Sequence, residues 1–255
     1  MDFTRRHALA AGVGFGLAPG LILPNSAEAQ RAIALPRDIV ERDAATITAV
    51  RTPSPVVAMT FDDGPHPKHT PRLLDMLRER NIKATFYLIG NRVVTWPKIA
   101  ARIAEEGHEV GNHSWSHPFL SKMGQSSVLR EIDKTTNAIW HATGRPPVTF
   151  RPPYGAFTRA QRTWLHGARK LPTILWSVDP ADWRRPGANV VASRILKASH
   201  KGAIILSHDI HRGTIDAMPR TLDGLSARGL KFVTVSQILG WPTWQTRNFR
   251  RVVKG

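Results

Sequence analysis

The stretch Pro55-Val56-Val57-Ala58-Met59-Thr60-Phe61-Asp62-Asp63-Gly64-Pro65 decides the fold. Its apolar run is short, unbroken and closed by Gly and Pro, which is the pattern of a strand covered on both faces in a parallel sheet. Asp62 and Asp63 therefore stand at a strand's carboxyl end, where a βα barrel places its chemistry. Adjacent carboxylates repel, so the pair calls for a metal, an arginine or a shared proton. Taken alone, the stretch also reads as an Asp-Gly-Pro turn with a solvated acid.

Working outward, strand-like runs recur near 56–61, 84–89, 108–111, 148–151, 173–178, 203–207 and 231–235. Between them lie helix-like stretches at 71–80, 97–106, 126–143, 159–170, 188–199 and 215–228, several stopped by Gly107, Gly144 or Gly229. About seven alternations predict an α/β fold, a closed or nearly closed parallel sheet with right-handed crossovers. One continuous domain is expected over 55–240, after a lead-in segment at 30–54 without clear period and before a basic, aromatic-bearing tail at 241–255.

The remaining strand ends carry polar clusters. His113-Ser114-Trp115-Ser116-His117 spaces two imidazoles at i and i+4, as on one face of a helical turn. With Asp63 they form a two-histidine, one-carboxylate set with open positions. Such a set suits Zn²⁺, with Co²⁺, Ni²⁺, Fe²⁺ or Mn²⁺ compatible by ligand type. Arg151-Pro152-Pro153-Tyr154-Gly155 makes a rigid turn behind a fork of donors able to hold a carboxylate. Asp179-Pro180-Ala181-Asp182-Trp183 and Leu206-Ser207-His208-Asp209 supply an acid candidate, His208, with Asp182 or Asp179 to hold it protonated. Asp209 reads equally as an N-cap or a supporting group. Trp183 and Leu206 read equally as core or as pocket wall.

The chain has 255 residues, 42% of them hydrophobic, enough for one large core. It has no cysteine, which excludes disulfides and thiolate metal sites. Lys plus Arg number 36 against 19 Asp plus Glu, a formal +17 that favours acidic partners such as an anionic cell wall. No aromatic-rich motif accompanies the basic residues, so a specific nucleic-acid site is not expected. Arg5-Arg6, the Gly- and Ala-rich run 8–23 and Ala27-Glu28-Ala29 read as a cleaved export signal over 1–29, with paired arginines like those of the twin-arginine route. That run is short for a membrane anchor. A periplasmic or extracellular monomer is expected.

The five stretches T-F-D-D-G-P, H-S-x-x-H, R-P-P-Y-G, D-x-x-D-W and L-S-H-D, in this order, resemble the motifs of the polysaccharide deacetylases, the NodB-homology group of carbohydrate esterase family 4. The resemblance spans about residues 55–239 and implies a distorted (β/α)7 barrel. It implies a divalent metal on Asp63, His113 and His117, with Asp62 as general base and His208 as general acid. It further implies Arg151 orienting Asp62, Asp182 tuning His208, a backbone N–H at Tyr154 facing the oxyanion, and Trp183 with Leu206 around the acetyl methyl. The implied activity is hydrolytic removal of acetyl groups from an N-acetylated glycan of peptidoglycan or chitin type. An O-acetyl esterase of xylan type would use the same residues, and a non-catalytic glycan-binding protein is the reading from another class.

Overall fold

The structure, a computed structural model, describes residues 39–43 and 46–241. The expected export signal at 1–29 and most of the basic tail lie outside the described residues. The expected lead-in is a hairpin: β1 (Ile39–Asp43) and β2 (Thr46–Val50) pair antiparallel with irregular register. β2 continues in parallel with β6 (Thr173–Ile174) through Thr46 opposite Thr173 and Ile47 opposite Ile174. The short, bulged strands explain why no period showed in the sequence.

The barrel is built on β3 (Val56–Asp62), buried along its whole length. One edge of β3 pairs with β4 (Thr85–Leu88), which pairs with β5 (Glu109–Asn112). The other edge pairs with β7 (Ile204–Ile205). Single bridges from Asn112 to Phe150, Phe150 to Thr173, and Val178 to Ile205 close the ring. β8 (Lys231–Phe232) joins the amino end of β3 at Val56 and Val57. All seven strand runs read from the sequence are therefore present, the one at 148–151 reduced to a single bridged residue. Pro152 and Pro153, which lack N–H groups, follow it immediately and limit further pairing.

Around this ring lie α1 (His69–Glu79), α2 (Gly90–Thr95), α3 (Pro97–Glu105), α4 (Gln125–Thr143), α5 (Arg159–Arg169), α6 (Ala188–Ala198), α7 (Arg212–Ala227) and α8 (Val235–Ile238). None of the described helices is long and apolar enough to cross a membrane. Strand alternation sorts the side chains into two layers. Val57, Met59 and Phe61 pack in the layer that holds Leu73, Leu74 and Leu77 of α1, Ile103 of α3 and Leu222 of α7. Each such burial contributes about 1.5–3 kcal/mol relative to exposure. Val56 and Ala58 share the inner layer with Tyr87, Ile174, Ile204 and Val235. At Gly111 a Cβ would come within 2.3 Å of the Tyr87 ring, so only glycine lets that ring fill the barrel. Polar residues occupy the upper interior, and that is where the site forms.

Candidate active site

Alternation along β3 would send Asp62 and Asp63 to opposite faces, but Asp63 has φ 72°, in the left-handed region that Asp tolerates. Both carboxylates therefore meet His113, whose Nε2 lies 3.7 Å from Asp62 Oδ2 and 3.4 Å from Asp63 Oδ1. His117 Nε2 is 3.2 Å from the same Asp63 oxygen. The spacing of the two histidines suggested a helical turn. The structure instead places 113–117 in a loop with left-handed residues at Ser114 (φ 64°) and His117 (φ 61°). Those two reversals, rather than helical periodicity, fold the second imidazole back onto the first.

Three features fit this cluster to a cation. One ligand atom from each of Asp63, His113 and His117 lies within 4.8 Å of the others. Asp63 Oδ1 is buried with no hydrogen-bond partner. The His113 Nδ1 lies 2.7 Å from the Arg151 carbonyl, to which it donates, and this leaves Nε2 with its lone pair toward Asp63. Burial opposes ionisation of Asp63, but the neighbouring imidazoles of His113, His208 and His117 hold its carboxyl well below the usual range.

The loop is held from outside. Glu131 of α4 accepts from Trp115 N at 2.8 Å, Ser116 N at 2.9 Å and Ser116 Oγ at 3.0 Å. Asn112 donates to the Ile132 carbonyl at 2.8 Å and accepts from Ser114 N at 2.9 Å. The first amides of α2, Gly90 and Asn91, donate to the Ser114 and Trp115 carbonyls.

Arg151 is wholly buried inside the barrel. Its Nη1 donates to Asp62 Oδ1 at 2.7 Å and to Thr60 Oγ1 at 2.6 Å, while Nε and Nη2 donate to the Ile174 and Leu175 carbonyls. The guanidinium lies 4.2 Å over the Tyr87 ring. With all three guanidinium nitrogens engaged, Asp62 Oδ1 is fixed and Oδ2 is left facing His113. Tyr154 takes a left-handed conformation (φ 59°), with its ring stacked on Phe119 at 4.0 Å and edge-on to His117 at 4.5 Å.

Across the mouth, Asp182 is the acid that holds His208. Its Oδ1 is 2.8 Å from His208 Nδ1, and its Oδ2 accepts from His208 N and Thr214 Oγ1 at 2.7 Å each. Asp179 instead accepts from Ala181 N within its own turn. Burial disfavours the imidazolium, but the bond to Asp182 and the charges of Asp182, Asp62 and Asp63 outweigh it and raise His208 to about 9. A cation on Asp63 would offset part of that rise. The backbones of Asp62 and His208 pair side by side where β3 ends and the chain leaves β7. Asp209 is not an N-cap: it is buried, accepts from Thr70 Oγ1 and lies against Gly64. Burial pushes its carboxyl up to about 7. Leu206 is buried, whereas Trp183 stands half-exposed with the Arg184 guanidinium 4.6 Å over its ring.

The structure thus brings Asp62, Asp63, His113, His117, Arg151, Asp182 and His208 to one rim. Sequence reasoning missed Glu131, Asn112 and Thr214. Glu131 and Thr214 occupy helices with no spacing that links them to the motifs, and Asn112 has the appearance of an ordinary strand end.

A profile of the polysaccharide deacetylase family matches residues 49–171. The peptidoglycan-N-acetylglucosamine deacetylase PgdA of Listeria monocytogenes is 42% identical over 184 residues, covering 72% of this chain and 39% of that protein. The chain spans about two-fifths of that relative's length. A peptidoglycan-N-acetylglucosamine deacetylase of Bacillus cereus is 35% identical over 189 residues, which cover 72% of this chain and 88% of that protein. The solved structure of peptidoglycan deacetylase PdaC from Bacillus subtilis superposes with TM-score 0.69 at 38% identity, over 73% of this chain and 90% of that one. With identity above 30% across most of two such proteins, and with the barrel and its rim in the same chain, this chain belongs to the polysaccharide deacetylase family.

Proposed function

We propose that the chain is a metal-dependent N-deacetylase of an N-acetylated glycan, hydrolysing the amide of an acetamido group. The observation that carries this reading is the pairing of two differently held groups on one rim: Asp62, with one oxygen fixed by Arg151, and His208, held by Asp182. Family membership supports the same activity.

Asp63, His113 and His117 are the residues that would hold the cation, and zinc best suits two imidazoles with one carboxylate. When bound, the ion would supply Lewis-acid polarisation of the acetyl carbonyl and acidify water beside it. Asp62 Oδ2 faces that place and takes the proton of the attacking water, while Arg151 keeps the carboxylate aimed. The Tyr154 backbone N–H serves as oxyanion donor. His208 then gives the proton on Nε2 to the departing amine nitrogen, its Nδ1 proton being held by Asp182. Without that proton the amine is too poor a leaving group. Trp183 and Leu206 bound the acetyl methyl.

The catalytic domain is assigned to 55–240, and β2 pairing with β6 makes part of the lead-in integral to the barrel. Export of a monomer by the twin-arginine route to the periplasm or outside, and attraction to an anionic wall, complete the proposal and rest on Arg5-Arg6, Ala27-Glu28-Ala29 and the net charge of +17. Acetate release from peptidoglycan, N-acetylglucosamine oligomers and acetylated xylan, each with and without chelator, tests the activity. The reading expects chelator-sensitive release from the N-acetylated substrates. Release from xylan alone would replace it with the esterase reading.

A further inference from the structure

Beside the His208–Asp182 pair a cavity of about 360 Å³ opens between the turn at 182–187 and the start of α7. The mechanism above leaves it unused. Its walls combine apolar Pro186 and Val191 with Arg185, His211 and Arg212. Asp182 is the one acid in the wall, and both its oxygens are committed to His208 and Thr214. The His211 ring lies 6.0 Å from that of His208, so an occupant would sit within one sugar unit of the catalytic centre.

Position distinguishes these arginines from the rest of the basic surface, since Arg185 and Arg212 line a cavity whose wall includes Asp182. On α1, α3 and α5 the guanidiniums of Arg72, Arg102 and Arg169 are tied to Asp216, Asp75 and Asp133 at 2.6–2.7 Å. Arg185 is exposed and has no ion-pair partner among the described residues, and Arg212 reaches Asp216 only at 3.4 Å. A second cavity of about 210 Å³, lined by Asp63 and His117, carries Arg92, likewise without an ion-pair partner among the described residues. A guanidinium fork recognises a carboxylate, and the proline and valine suit a methyl group or ring carbons.

We propose that the cavity is a subsite for a carboxylate-bearing substituent on the glycan, held by Arg185 with Arg212 and packed on Pro186 and Val191. It rests on the deacetylase reading and narrows the substrate to an acidic N-acetylated glycan.

The test uses the full chain and two disaccharides: N-acetylglucosamine joined to N-acetylmuramic acid, and N,N′-diacetylchitobiose. They differ only by one lactyl ether carboxylate. Calorimetry should find the acidic sugar bound about tenfold more tightly, as one charge-assisted fork predicts. Arg185→Gln and Arg185→Gln with Arg212→Gln should abolish that preference and leave the neutral sugar's Kd unchanged. Arg185→Lys should restore part of it. In turnover, KM for the acidic sugar should rise with kcat kept. Equal affinity in the parent, or variants that weaken both sugars alike, overturns the subsite. Preference without acetate release from either sugar keeps the subsite and rejects the deacetylase reading. Acetate from both without preference does the reverse.

Discussion

Asp62 and Asp63 are adjacent and chemically identical, yet one left-handed residue and one buried arginine give them different work. Asp62 shares an oxygen with Arg151, whereas Asp63 has an unpartnered oxygen between two imidazoles. Asp62→Asn should therefore keep the cation, measured by bound metal per chain, while kcat falls about 100- to 10,000-fold, the contribution of a general base. Loss of metal together with turnover would put Asp62 among the ligands. The second residue-scale prediction concerns pH. His208 must be protonated to act as acid, so activity is present below its pKa and lost as pH rises through it. Although burial opposes its charge, Asp182 helps raise it to about 9. Asp182→Asn removes that support and should move the alkaline limb of the kcat/KM profile down by about 1–3 pH units. An unmoved limb would mean that His208 is not the titrating acid.

At the scale of elements, the residues that touch chemistry sit at strand ends, and two of those that brace them, Glu131 and Thr214, sit on helices. This explains what could be read from sequence. β3 announces itself because seven consecutive residues are buried, and the motifs follow strands of the same kind. The helices at 97–105, 125–143, 159–169 and 188–198 begin and end within a residue of their apolar periodicity. The hairpin and α2 were illegible, since five- and six-residue elements carry too few turns or alternations to show a period. The strand-end position of 113–117 is legible, but its local turn is not, because i, i+4 spacing suggests a helical turn and is silent about positive φ. Glu131 was illegible for a different reason: two of its three bonds are to backbone amides of a distant loop, which leave no mark on side-chain spacing. Glu131→Ala should release the amides of Trp115 and Ser116 and weaken metal binding about 10- to 100-fold, as removal of groups behind metal ligands does. Metal competition assays read this directly. Unchanged affinity with a lower melting temperature would reduce Glu131 to a structural tie.

For the whole molecule, the barrel and its charge act over different distances. The rim selects by contact within a few ångströms. The excess of 36 basic over 19 acidic side chains sets a field that reaches as far as salt allows. That reach shrinks from about 30 Å at 0.01 M to about 3 Å at 1 M ionic strength. A subsite fork in contact with its carboxylate is screened far less than this outer field. Two acidic substrates should therefore respond differently. An extended peptidoglycan fragment gathers charge from the whole surface, and its KM should rise about tenfold or more across that range. A single acidic disaccharide should lose far less, and a neutral N-acetylglucosamine oligomer should hold its KM throughout. Initial rates of acetate release against salt for the three substrates make the comparison. If all three KM values rise together, salt acts on the fold or the cation. If none rises, the basic surface plays no part in bringing substrate to the rim.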